Sequence, residues 1–243
     1  MTVAIEEIKS LLVYYQALGF ERLPITIITQ EKVQATSNTQ RSEKELSRIT
    51  GRALPDKAAE LDALRDMIGD CQRCKLAKHR TNLVFGTGNP DAKLMFIGEA
   101  PGREEDLQGL PFVGDAGMLL TRLISKMGMK REDVYIANII KCRPPLNRDP
   151  EEDEVASCRG FIEKQIEIIR PQVIMTLGRI AVQVLMNSPK LKITSARGHF
   201  LSFNGIPVMP TFHPAYLLRN PRDKVLTWSD AQKVLTRLEP SHA

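Results

Sequence analysis

No stretch of this sequence reaches the roughly 18 consecutive apolar residues that a membrane-spanning helix needs, so no helical span is expected. Residues 1–7 hold no basic stretch leading into an apolar one. That argues against a secretory leader and for a cytoplasmic protein. No internal repeat is visible, which sets repeat arrays aside. Cysteine is scarce, with four residues at Cys71, Cys74, Cys142 and Cys158. A reducing compartment disfavours disulfides, which leaves a metal site and plain buried thiols as the alternatives for these four.

The 243 residues suffice for one sizeable core or two small ones, and 42% hydrophobic with 26% charged residues is ordinary for a globular protein. The net charge of +5 is compatible with a polyanionic partner, although solubility alone explains such a value.

Along the chain, Ile5, Ile8, Leu12 and Tyr15 fall at helical spacing, Gly19 is a natural stop, and residues 24–33 favour a short extended piece. Residues 34–52 are rich in Gln, Thr, Ser, Asn, Lys and Glu and read as a polar linker. The expected organisation is therefore an extension over 1–54 and a main domain over 55–243. The main domain opens with a helix that starts at Pro55-Asp56 and buries Leu61, Leu64 and Ile68. Strands are then expected over 93–98, 134–140, 172–177 and 208–212. Helices are expected over 115–127, 150–169, 179–186 and 227–238, the first of them with Met118, Leu119, Leu123 and Met127 toward the core. Such alternation implies an α/β fold with a parallel sheet covered by helices on both faces. Ligands of such folds bind at the carboxyl ends of the strands. Three unusual segments converge there: 98–102, Asn138 onward, and His213-Pro214.

Residues 98–117 read GEAPGREEDLQGLPFVGDAG. Few ordinary strand-to-helix loops need so many glycines and prolines, and glycine lets backbone approach a ligand closely. Cys71-Gln72-Arg73-Cys74 is a ligand pair that one metal centre can use. Cys142 and Cys158 form no second short pair, so a zinc ribbon fits poorly and an iron–sulfur cluster fits equally well or better. Arg73, Lys141 and Arg143 lie near these thiols in sequence and would offset the charge of a ligated cluster.

Segment 98–117, segment NIIKCRPP over 138–145 and segment HPAYLL over 213–218 together resemble the family 4 uracil-DNA glycosylases, the iron–sulfur branch of their superfamily. The resemblance covers roughly 71–238 and leaves the first 55 or so residues outside. It implies a three-layer α/β/α fold with a four-stranded parallel central sheet. It also implies a [4Fe–4S] cluster on Cys71, Cys74, Cys142 and Cys158, structural and not redox-active in base removal. The implied partner is uracil-containing DNA, single- or double-stranded, and a monomer is expected. The implied activity is a base excision repair step that flips uracil out of DNA and hydrolyses its N-glycosidic bond.

By the same resemblance Phe112 stacks on the flipped base, Asn138 reads its polar edge, and Gly98, Glu99 and Ala100 line it with backbone. His213 then sits near uracil O2, where it can stabilise charge on the departing base. Taken singly, Phe112 could be core, Asn138 a turn former and His213 a satisfied loop histidine; their agreement at strand ends argues otherwise. Leu217 or Leu218 would enter the minor groove and fill the gap left by the base, and Arg219 and Arg222 would hold phosphates. The best-known branch of the superfamily has an aspartate that positions water where this chain has Ala100. Glu99, Glu105 and Asn147 remain as alternatives for that task, or electrostatics alone if the reaction is strongly dissociative. A branch that crosslinks to its substrate carries an inserted basic loop absent from 102–111. A non-enzymatic iron–sulfur DNA-binding module is the other alternative.

Overall fold

The computed structural model describes residues 56–238. The helix, extended piece and linker expected within 1–54 lie outside the described residues. The first described helix is α1 (Lys57–Ile68), started by the Asp56 carboxylate, which accepts hydrogen bonds from the N–H of Ala58 and Ala59 at 3.1 and 3.2 Å. Its buried residues are Leu61, Leu64 and Ile68, as the spacing predicts.

Strands β1 (Thr87–Gly88), β2 (Leu94–Gly98), β3 (Tyr135–Asn138), β4 (Val173–Leu177), β5 (Leu201–Phe203) and β6 (Ile206–Thr211) form one sheet of order β1-β3-β2-β4-β6-β5. The inner four, β3-β2-β4-β6, are parallel and correspond to the four expected strands. Two short antiparallel strands, β1 and β5, extend the sheet at its edges to six. At two and three residues they carry too little pattern to read from sequence. Among the described residues no helix is long and apolar enough to cross a membrane.

The remaining helices are α2 (Arg103–Gln108), α3 (Asp115–Lys126), α4 (Glu152–Ile169), α5 (Arg179–Leu185), α6 (Ile193–Ala196), α7 (Pro214–Arg219) and α8 (Lys224–Leu238). Strand residues alternate between two cores. Met95, Ile97, Ala137, Ile174 and Val208 pack with α1, α4 and α5 on one face, while Leu94, Phe96, Ile136, Met175 and Met209 pack with α3 and α8 on the other. Each fully buried aliphatic side chain contributes about 1.5–3 kcal/mol of transfer free energy. This is the expected three-layer architecture.

Two expectations need correcting here. The fully buried face of α3 is Gly117, Leu120, Ile124 and, just past its end, Met127; Leu123 packs half-buried against the same core as expected, whereas Met118 is 51% exposed. The last helix begins at Lys224 and not at Thr227. The loops leaving the neighbouring strands β2 and β4 run in opposite directions, toward β3 and toward β6. That divergence opens a crevice at the carboxyl edge of the sheet.

Candidate active site

A cavity of about 430 Å³ occupies this crevice. It is lined by Glu99, Ala100, Pro101, Gly102, Glu105 and Phe112 after β2, and by Asn138, Pro144, Asn147 and Arg148 at and after β3. His213, Ala215, Tyr216 and Arg219 complete it from the β6 side. The three segments singled out in the sequence therefore share one wall system.

Asn138, the last residue of β3, is 1% exposed, yet neither its amide nitrogen nor its amide oxygen has a hydrogen-bond partner. Buried polar groups are normally satisfied, and an orphaned amide costs about 1–3 kcal/mol. Its backbone is held firmly: Lys141 Nζ donates to the Asn138 carbonyl at 2.8 Å and to Gln165 Oε1 at 2.6 Å. Gln165 Nε2 donates in turn to the Phe85 carbonyl at 3.0 Å and to the Tyr135 hydroxyl at 3.2 Å. Across the register, Gly98 pairs with Asn138. A Cβ at Gly98 would lie 2.4 Å from Asn138 Oδ1 and 2.5 Å from Phe112 Cζ, so only glycine fits between the two.

Phe112 is 6% exposed and sits at φ 51, an unfavourable region for a bulky residue. Its loop is pinned from several sides. Arg131 Nη2 donates to the Pro111 carbonyl at 2.5 Å. Glu105 Oε1 accepts from the N–H of Val113 and Gly114 at 2.8 and 3.0 Å, and its Oε2 accepts from Gly102 N–H at 3.2 Å. A Cβ at Gly117 would lie 1.9 Å from the Phe112 carbonyl oxygen, which explains why this small residue begins the buried face of α3. The Phe112 ring faces His213, with centroids 5.7 Å apart and planes at 34°.

His213 is the N-cap of α7, and its Nδ1 accepts from Ala215 N–H at 3.1 Å. An accepting Nδ1 leaves the proton of the neutral ring on Nε2, a donor. Burial pulls the imidazole down to about 4; Glu105 opposes that shift and Arg219 adds to it. The ring is therefore neutral near pH 7. Glu99 behaves in the opposite sense. Burial pushes its carboxyl up to about 7, Asp149 adds to the shift and Arg179 opposes it. Asn147 is exposed at the rim, with Oδ1 accepting from Arg143 Nε at 2.8 Å.

Arg219 lines the cavity, and Arg222 lies exposed on the turn Pro221–Asp223 outside it. The expected pair of groove-entering leucines is divided by the structure: Leu217 is 3% exposed and belongs to the core under α7, whereas Leu218 is 43% exposed. On a helix, adjacent residues point about 100° apart, so one core contact excludes the other.

The four cysteines, one close pair and two distant residues in sequence, gather on the α1/α4 face. Cys71, Cys142 and Cys158 belong to one core cluster and Cys74 packs against it, all as free thiols. Arg73 Nη1 and Arg80 Nη1 donate to the sulfurs of Cys71 and Cys142, each at 3.3 Å. Burial raises the Cys142 thiol and pushes that of Cys158 up to about 12. Among the described residues no group of three or more His, Cys, Asp or Glu has the geometry to hold a single metal ion. Four thiols, two of them accepting from guanidinium groups, are the donor set that an iron–sulfur cluster takes. Arg80, Arg131 and Gln165 escaped the sequence reading. Lys141, placed there beside the thiols, carried a further signal as a charge set inside the apolar run ANIIKC.

A family profile described as Uracil DNA glycosylase superfamily matches residues 85–235. The chain is 50% identical over 182 residues to the Type-4 uracil-DNA glycosylase of Saccharolobus solfataricus, a match covering 72% of this chain and 84% of that protein. It is 49% identical over 161 residues to the Type-4 uracil-DNA glycosylase of Thermotoga maritima, covering 66% and 84%. With the Type-4 enzyme of Archaeoglobus fulgidus it shares 44% identity over 181 residues, covering 72% and 91%.

Proposed function

The chain belongs to the uracil-DNA glycosylase superfamily, with type-4 enzymes as relatives, and on that premise we propose that its cavity takes uracil extruded from DNA and that the chain hydrolyses the N-glycosidic bond, leaving an abasic site for base excision repair. The observation that carries this reading is the unpaired Asn138 amide, which offers one donor and one acceptor to a planar base stacked on Phe112. Uracil presents a carbonyl and an imide N–H on one edge and satisfies both.

The N1–C1′ bond breaks with its electron pair passing to the base, so negative charge spreads onto O2. His213 Nε2–H donates a hydrogen bond to that charge, and because the ring is neutral the proton stays on Nε2. The deoxyribose carbon becomes electrophilic, and water adds there with loss of a proton. Glu99 is the group on this wall suited to accept from that water. Glu105 acts as a positioning residue for the Phe112 loop, because both of its oxygens are occupied by backbone N–H. Arg219 holds phosphate at the rim.

Cys71, Cys74, Cys142 and Cys158 would hold a [4Fe–4S] cluster, whose contribution is to tie the end of α1, the loop after β3 and α4 into one unit.

Single-turnover uracil release from a defined oligonucleotide tests the proposal. Wild type should release uracil from single-stranded and duplex substrates. Loss of a preorganised donor costs about 10²–10³ in rate in other enzymes, so His213→Ala and Asn138→Ala should fall by about that much with DNA binding retained. Tight binding with no release would leave only a DNA-binding module, and variant rates within about threefold of wild type would remove the assigned roles.

A further inference from the structure

We propose that Leu146 is a second apolar insertion residue, entering the base stack beside the extruded nucleotide from the side of the cavity opposite Leu218. The proposal rests on the reading of the cavity as a uracil site and adds a contact to it.

Leu146 is 96% exposed, the most exposed large hydrophobic residue among those described. A lone exposed leucine needs no explanation by itself. This one, however, also sits at φ 55 and ψ 20, and Asn147 follows at φ 54. A bulky residue in the left-handed region costs about 1–3 kcal/mol and persists only where its surroundings enforce it. Glycine or asparagine would occupy the position at little cost. The chain thus holds an apolar side chain in water, on a strained backbone, at a place where neither is needed for packing.

The surroundings do enforce it. Pro144 and Pro145 fix the entry to the turn. Asn147 N–H donates to the Pro144 carbonyl at 3.1 Å, and the Asn147 side chain is held by Arg143 at 2.8 Å. Arg148 then closes the turn with a two-pronged ion pair to Glu154, at 2.8 and 2.6 Å. Leu146 is consequently pushed outward and cannot fold back.

Its location selects the partner. Pro144, Asn147 and Arg148 line the β3 side of the cavity, and Tyr216 and Arg219 line the β6 side next to Leu218. Strands β3 and β6 stand three spacings apart in the sheet, about 14 Å at about 4.8 Å each. A duplex lying across the mouth would meet an exposed leucine on each side of the nucleotide that enters the pocket. Leucine is one of the side chains that DNA-distorting proteins insert between base steps. Arg143 and Arg219 around the same mouth suit a polyanion, whereas a protein partner would not require the leucine to stand beside the base pocket.

The test uses Leu146→Ala, Leu146→Gly and Leu146→Met, with single-turnover release measured on a U:A duplex and on the same uracil strand alone. Melting temperatures and the fluorescence of 2-aminopurine placed next to a non-cleavable deoxyuridine analogue are followed alongside. Because unstacking a step costs a few kcal/mol, the alanine and glycine variants should lose about tenfold on the duplex and less than twofold on the single strand. The 2-aminopurine signal should fall with the duplex rate, and methionine should restore both. Leu146→Gly should melt at or above the wild-type temperature, since it relieves the backbone. Unchanged duplex rates, or equal losses on both substrates, would overturn the insertion role. Wild-type protein that releases uracil from neither substrate would instead overturn the uracil reading itself.

Discussion

Three residues were open candidates for holding the attacking water, because Ala100 leaves the expected carboxylate position empty of charge. The hydrogen-bond partners separate them. Glu105 spends its oxygens on the N–H of Gly102, Val113 and Gly114, and Asn147 gives its oxygen to Arg143. The Glu99 carboxylate accepts no hydrogen bond from any described residue, and burial pushes it up to about 7. A carboxylate that accepts from water must be ionised, so activity should rise with pH through about 7 and level off above it. Below that point the rate should fall about tenfold per pH unit. His213, pulled down to about 4, stays neutral across this window and contributes no limb. Glu99→Gln should be slow and flat between about pH 5.5 and 8.5. A wild-type profile without the rise, or the same rise in the variant, would take the water from Glu99. The motif letters identified these side chains; their hydrogen-bond partners, which come from residues three to nine positions away, were not legible in them.

Among the elements, the buried parallel strands were legible because both faces are covered, which turns β2 and β4 into continuous apolar runs. Helix phase was harder. In α3 the sequence offers apolar residues almost all round, and the true face is chosen by the contact of Gly117 with Phe112. In α7 two adjacent leucines compete, and Leu217 takes the core position beside Phe212, Pro214 and Trp228. Leu217→Ala should therefore lower stability by about 2–5 kcal/mol and reduce excision from every substrate by a similar factor. Leu218→Ala should leave the melting temperature unchanged and impair U:A duplexes most, U:G mismatches less and single strands least, following the unpairing energy each demands. Thermal melts together with single-turnover rates on the three substrates decide this. A melting temperature drop for Leu218→Ala, or a uniform loss of rate, would return both leucines to the core.

At the scale of the whole molecule, the cysteines are the clearest case of a feature that only folding assembles. Cys71 and Cys74 follow α1, Cys142 follows β3 and Cys158 lies within α4, yet all four meet on one face of the sheet. Protein purified without oxygen should carry about four irons and four sulfides per chain, and Cys158→Ser should lower both the iron content and the melting temperature. Zinc in place of iron, or a full complement of iron retained in the variant, would count against the cluster. The four positions and Arg73 beside them were legible, but the Arg80 guanidinium that faces the Cys142 sulfur was not, since 62 residues separate the two and nothing local in the sequence points it there. The stretch from Asn138 to Cys142 has a further consequence. Its residues are tied down one after another: Ile139 N–H to the Gly98 carbonyl, Ile140 N–H to the Glu99 carbonyl, and the Lys141 carbonyl to Val84 N–H. Substitution within it changes a side chain, but insertion or deletion of a single residue would break this sequence of backbone hydrogen bonds and shift Cys142 from its place while Asn138 kept its own. Distance along the chain is thus itself a fixed dimension of this molecule. An engineer could alter the chemistry of these five residues, but not their number, without separating the amide in the cavity from the sulfurs behind it.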